Sequence, residues 1–251
     1  MIFLFIGLLS FVAIFGGALF GLFAARFLPE HHLGGETRTA VSVSMAVVGT
    51  LSALVIGLMI STASSSFTAR SNDVTEISVD LIRIDRLLQR YGPEADGARS
   101  KLRVFAKAKM QELFPVTGEP AQTDEATVGM LEAIQDAILL LAPTDVRHRW
   151  LHSQALSLSG DLSQARWLLV QQAGSNIPLP FLVLLIFWLT IVFASFGLFA
   201  PRNGTALAAL CLCSMAVSGG VTMILGLDAP FGGLVRISAE PMRHALAQIT
   251  Q

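Results

Sequence analysis

Residues 61–77 read STASSSFTARSNDVTEI and contain neither proline nor glycine. Before them lies an uncharged run of membrane length, residues 40–63. After them Val74, Ile77, Leu81, Ile84 and Leu88 recur at spacings of three and four, the pattern of a helix with one apolar seam. Nothing in between would stop a helix, because the usual breakers are absent. The spacing therefore predicts a single helix that leaves a membrane and continues toward Tyr91 without a linker. No period-2 strand pattern competes with it anywhere in the chain.

Working outward, four runs are long enough to cross a bilayer, which takes about 20 apolar residues. They are residues 2–25, 40–63, 177–200 and 205–227, none with an ionisable side chain in its middle. Of the 251 residues, 53% are hydrophobic and 14% charged, where a soluble domain carries about 25% charged residues. The first run lacks a basic N-terminal region and a convincing cleavage site and is longer than a signal-peptide core, so it is expected to be retained. The expected architecture is an all-α membrane protein: a transmembrane hairpin over 1–63, a helical cytoplasmic insert over 64–176, a second hairpin over 177–227, and a turn with a short amphipathic helix over 228–251.

The insert shows further seams. Leu151, Ala155, Leu158, Leu162, Ala165 and Leu169 form one; Val128, Leu131, Ile134, Ile138 and Leu141 another; Leu102, Phe105 and Leu113 a weaker one. Breaks fall at YGPEADG (91–97), FPVTGEPAQTD (114–124) and APTD (142–145), where Thr144 or Asp145 can cap the next helix. Before the third span, Gly174, Pro178 and Pro180 end one helix and open the next. Arg70, Arg83, Arg166, Arg236 and Arg243 flank the spans on one side and Arg26, Arg38 and Arg202 on the other. The excess places both termini and the insert in the cytoplasm of a bacterial inner membrane.

Several function classes find no support. A net charge of −1 offers no basic face for nucleic acid. Cys211 and Cys213 sit alone in an apolar run and read as small fillers. His31 and His32 lie in the short loop EHHLGGE, and His148 and His152 stand at i, i+4 without an HExxH frame, which reads as a solvated face. No nucleophile–base set, phosphate loop or dinucleotide fingerprint occurs, so neither enzyme chemistry nor a cofactor or metal is expected. The lack of a membrane-embedded acid or base argues against a proton-driven machine.

Small residues are abundant in the spans. Gly17 and Gly21 form a small-xxx-small pair; Ser42, Gly49 and Ile56 fall on one line of span two, and Thr50, Gly57, Ser61 and Ser64 on another; Ser214, Ser218, Gly219 and Gly220 occur in span four. Such residues let helices approach closely in lipid. The hydroxyl-rich side of span two can instead line a watery path, with Ser42, Gly49, Ser52 and Ile56 as pore-lining candidates. At the far end, LGLDAPFGGLVRIS (225–238) stops the last span at Asp228, extends the chain before Pro230 and reverses it at Gly232 and Gly233. The following SAEPMRHALAQI reads as a helix capped by Ser238, with Met242, Leu246 and Ile249 on one side, lying on the membrane surface or packing beneath the bundle. This tail is either a structural clamp or part of a gate, with Asp228 and Arg236 near an ion path.

Three stretches, LIRIDRLLQRYGPEADGARSKLR (81–103), NIPLPFLVLLIFWLTIVFASFGLFAPRNGT (176–205) and LGLDAPFGGLVRISAEPMRHALAQI (225–249), together resemble the bacterial bestrophin-like domain family over nearly the whole chain. That family has two spans, a helical insert, two more spans and a terminal Asp-x-Pro-[FY]-x-Gly motif. The motif maps here onto Asp228, Pro230, Phe231 and Gly233, followed by Arg236, Ser238 and Pro241. The resemblance implies a homo-oligomeric channel for inorganic anions whose pore is lined by the second span and closed by an apolar neck. No residues match the calcium clasp of eukaryotic bestrophins. Two rivals remain: a non-conducting scaffold or sensor whose insert binds a protein partner, and a stator-like assembly.

Overall fold

The computed structural model describes residues 2–29, 34–115, 124–171, 179–228 and 235–250. These are helical, in the order α1 (Ile2–Ala24), α2 (Gly35–Tyr91), a one-turn 3-10 helix (Pro93–Ala95), α3 (Asp96–Leu113), α4 (Asp124–Leu139), α5 (Val146–Gln171), α6 (Leu179–Phe199), α7 (Gly204–Asp228) and α8 (Glu240–Ile249). Among them α1, α2, α6 and α7 are long and apolar enough to cross a membrane. The chain is thus an all-α membrane protein. As the breaker-free stretch at 61–77 requires, α2 is one helix of 57 residues. The chain divides into two compact units, residues 1–67 with 175–236 and residues 68–174 with 237–251.

The first unit is built around α1, which packs on α6 and α7. Its core joins Ile14 and Ala18 to Leu182, Leu185, Leu189 and Phe193 of α6 and to Val221, Ile224 and Leu225 of α7, with Met59 and Ala63 from α2. The approach of α1 to α6 is made by backbone. A Cβ added to Gly21 would collide with the Ala194 carbonyl, one on Gly197 with the Ala18 carbonyl, and one on Gly17 would come 2.7 Å from the Thr190 oxygen. Gly16, one residue away, faces open space. Against α7 the seam is polar: the Ser218 hydroxyl donates to the Gly7 carbonyl. In lipid, where the hydrophobic effect does not drive helices together, such close packing and hydrogen bonding carry association.

The second unit closes on the seams read in sequence. Val74, Ile77, Leu81, Ile84 and Leu88 of α2, Leu102 and Phe105 of α3, Leu131, Ile134 and Ile138 of α4, and the whole run from Leu151 to Leu169 of α5 are buried. Gly92 ends α2 at φ 124°, a conformation only glycine adopts readily, and Pro93 then starts the 3-10 turn. Arg99 of α3 grips both carboxylate oxygens of Asp85 of α2 through Nε and Nη2, at 2.9 and 3.2 Å. Lys109, almost fully buried, reaches Glu112 at 2.6 Å, and Thr127 of α4 donates to the other oxygen of the same carboxylate.

Helix α8 belongs to this unit and packs on α3. Its buried residues are Met242, Ala245 and Ile249, so the seam runs through Ala245, and Leu246 is only half-buried. Arg103 of α3 donates to the Ile249 carbonyl at 2.6 Å, satisfying one of the free acceptors at the helix end. Ser238 accepts from the Glu240 N–H at 3.2 Å, while Ala239 occupies the cap position.

Candidate functional site

The membrane-length part of α2 is the least covered of the four apolar helices: 11% of its most apolar window is buried, against 33% for α1, 33% for α6 and 22% for α7. One side packs on the chain's own bundle through Val55, Ile56, Met59 and Ala63. The opposite side, at spacings of three and four, carries Val47, Thr50, Leu54, Gly57, Ser61 and Ser65, all exposed. Leu54 and Leu58 are 70% and 68% exposed.

The four sequence candidates separate on this geometry. Ser42 is exposed. Gly49 is half-buried, with nothing within 4 Å of where its Cβ would stand. Ser52 is 1% exposed and donates to the Val48 carbonyl of its own helix at 2.8 Å. Ile56 packs against the core of its own unit. Ser52 and Ile56 thus share the inward side; Ser42 is exposed near the helix start, but it falls two heptads before Ile56 and off the open stripe.

The hydroxyls of the open side differ in how they are satisfied. Thr50 donates to the Ala46 carbonyl at 2.8 Å and Thr62 to that of Leu58 at 3.0 Å, the usual way a hydroxyl is tolerated in a membrane helix. Ser42, Ser61 and Ser65 have no hydrogen-bond partner among the described residues. A Cβ on Gly57 would meet nothing within 4 Å. Packing within one chain does not account for glycine there or for the unsatisfied hydroxyls. Ser42 and Ser61 lie in the first and last turns of the membrane-length run 40–63, and Ser65 just beyond it.

Of the motif residues, Asp228 is the last residue of α7, 8% exposed and engaged rather than free. Arg236 is exposed and likewise engaged. Pro230, Phe231 and Gly233 lie outside the described residues, as do His31 and His32.

Sequence reading missed the buried charges. Arg70 and Arg166 are each 3% exposed, and Arg166 stands 5.5 Å from the centre of the Trp167 ring. Burial, with Glu76 nearby, raises the Asp73 carboxyl above its ordinary range. Burial also raises that of Asp80, against the pull of Arg83. The histidines depart from the expected solvated face. His152 Nε2 meets the Ile138 carbonyl at 2.9 Å. His148 meets the Asp145 carboxylate through Nδ1 at 2.8 Å and the Tyr91 carbonyl through Nε2 at 2.9 Å. Both His148 partners are acceptors, so the ring holds both bonds only as imidazolium. Its hydrogen bond to Asp145 raises the His148 pKa above the ordinary 6.5. The same carboxylate caps α5 by accepting the His148 N–H at 2.7 Å.

Four membrane-length helices with a helical segment folded from the chain between and after them define an integral membrane protein of one recognisable class. The bestrophin-like domain model matches residues 12–242, and the chain belongs to that family. A crystal structure of a bacterial bestrophin homologue from Klebsiella pneumoniae is similar at a TM-score of 0.70 and 13% identity, covering 97% of this chain and 99% of that one. A second structure of the Klebsiella homologue, with a different substitution, gives 0.69 and 13%, covering 99% and 98%. A crystal structure described only as a membrane protein gives 0.71 and 13%, covering 97% and 98%. At that identity the likeness carries the fold. No curated protein matches.

Proposed function

We propose that the protein is a homo-oligomeric channel passing inorganic anions across the bacterial inner membrane, with the open side of α2 lining the axis and both termini and the insert cytoplasmic. The observation that carries the reading is the exposed stripe of Thr50, Gly57, Ser61 and Ser65 on the least covered membrane helix. Thr50 and Ser61 make that side polar within the span, Gly57 leaves room on it, and Ser65 continues it just beyond. Membership of the bestrophin-like family supports the same reading. In it, Ser42 and Gly49 flank the path, Leu54 and Leu58 narrow it, and Ser52 and Ile56 hold α2 to its own bundle. Asp228 and Arg236 border the cytoplasmic mouth.

The test is anion flux from liposomes holding the purified protein, with the oligomer mass measured in the same detergent. Chloride flux from a closed oligomer that falls about tenfold or more in Gly57→Leu, with mass and melting unchanged, bears the reading out, because a leucine side chain adds an apolar constriction where the chain itself leaves room. Flux unaffected by Gly57→Leu and Ser61→Leu refutes the assignment to this stripe. Liposomes that stay tight around a monomer favour a non-conducting scaffold.

A further inference from the structure

In the second unit, the face where α2 meets α5 carries a groove of about 250 Å³ lined by Arg83, Arg86, Arg90, Trp150, Gln154 and Leu158, among others. Arg83 spends part of its charge on Asp80 at 3.3 Å. Arg86 and Arg90 are exposed and form no ion pair among the described residues. They stand at i, i+4, a spacing at which like charges destabilise a helix unless something neutralises them. Trp150 forms an open wall, 55% exposed. An exposed tryptophan beside unpaired arginines is the composition of an interface centre rather than of ordinary surface.

The complementary surface lies on the same unit. Helix α4 exposes Glu132 and Asp136, also at i, i+4 and also without ion pairs among the described residues. One turn further, Leu139 and Leu140 are 58% and 84% exposed. We propose that the Arg86–Arg90 groove of one copy receives the α4 ridge of a second copy, the two helices running antiparallel. In that direction Arg90 meets Glu132 and Arg86 meets Asp136, since both pairs span about 6 Å of helix. Leu140 then falls over Ile82, and Leu139 beside it over the stem of Arg83. The parallel arrangement would instead carry the leucines past Tyr91, where α2 ends, toward the acidic Glu94. Groove and ridge are different surfaces, so the contact can repeat head-to-tail from copy to copy, giving a ring where the rotation closes. The inference rests on the proposed function only in taking a second copy as the occupant.

Charge reversal tests it, read as the protein concentration at which the detergent-solubilised oligomer is half dissociated. Arg86→Glu with Arg90→Glu should raise that concentration about tenfold or more, and so should Glu132→Arg with Asp136→Arg, given the coupling measured for close charge pairs. The chain carrying all four reversals should return toward the parent value, which also excludes misfolding as the cause. Higher salt should weaken the parent oligomer. A monomeric parent, a double reversal that leaves assembly unchanged, or a fourfold variant that stays dissociated would each overturn the inference. Oligomer mass is independent of conduction. An intact ring that passes no anion therefore sinks the channel reading alone, and a conducting oligomer indifferent to these reversals sinks this one alone.

Discussion

Substituting Gly21 by alanine inserts one methyl group into the α1–α6 seam, where it overlaps the Ala194 carbonyl and crowds the Leu198 amide at 2.9 Å. A carbon contact rests near 3.5 Å. Even the milder Gly17 site, 2.7 Å from the Thr190 oxygen, falls short by about 0.8 Å, and Gly21 by more. Neither obstacle is the end of a flexible side chain, so the helices themselves must part. A gap of 0.5–1 Å forfeits about a quarter to a half of each contact's energy, and a seam with the contacts of one buried leucine holds roughly 40–60 of them at about 0.1–0.2 kcal/mol each. The loss comes to about 2–3 kcal/mol, at the upper end of what overpacking a core costs. For a chain of this size that lowers the midpoint of unfolding by about 5–10 °C. The assay is a thermal melt in detergent, followed by tryptophan fluorescence, on Gly21→Ala and Gly16→Ala side by side. Gly16 meets nothing within 4 Å, so its substitution should be neutral or slightly stabilising. Equal melting of the two variants would refute backbone contact between α1 and α6.

Three further outcomes follow from single contacts. Arg99→Met leaves the Asp85 carboxylate buried without its cation and should cost about 3–5 kcal/mol, measured by denaturant titration; a change under about 1 kcal/mol would mean that Asp85 is solvated in solution. His148→Gln should matter most in mild acid. The folded pKa of His148 is raised, so its contribution is complete below the ordinary 6.5 and fades as pH climbs through the folded value, while Asp145, held low by its hydrogen bonds to His148, loses its share only as pH falls through its own depressed pKa. The melting difference between parent and variant should therefore shrink from pH 6 to pH 9, and a difference that grows would contradict the imidazolium assignment. Ile249→Asp should detach α8 from α3 and open its amides to hydrogen exchange, whereas Ala247→Asp, on the exposed side, should not.

Sequence periodicity located the seams of α2 and α5, where burial follows the 3.6-residue repeat from Val74 to Leu88 and from Leu151 to Leu169, but in α8 it picked Leu246 where Ala245 is the buried residue. Gly17 and Gly21 were legible as a pair; their counterpart Gly197, alone in an apolar run, was not. His148 could not be placed, because one of its partners is the backbone carbonyl of Tyr91, 57 residues away, which leaves no trace in residue type. Lys109, Arg70 and Arg166 sit in amphipathic helices where a cation ordinarily marks the wet face, and only folding shows that they are enclosed. The candidate site was half legible. Its hydroxyl content marked α2, but hydroxyls occur on both sides of that helix, so the line of Ser42, Gly49 and Ile56 and the inward Ser52 were chosen over the stripe through Thr50, Gly57 and Ser61. Periodicity ranks sides by polarity and says nothing of which one the rest of the chain will cover.

The dependence of α1 on α6 and α7 has a consequence for biogenesis. Gly21 meets its partner residues near position 194, more than 170 residues later in the chain. At about 5–20 residues per second, α1 waits roughly ten to thirty seconds in the bilayer before the helix it fits has been made. It is suited to wait: its described stretch has no charge, and its lone serine, Ser10, donates to the Ile6 carbonyl at 2.8 Å within the same helix. Helix α1 is thus a self-sufficient lodger in lipid, and the α6–α7 hairpin, arriving late, completes the bundle around it.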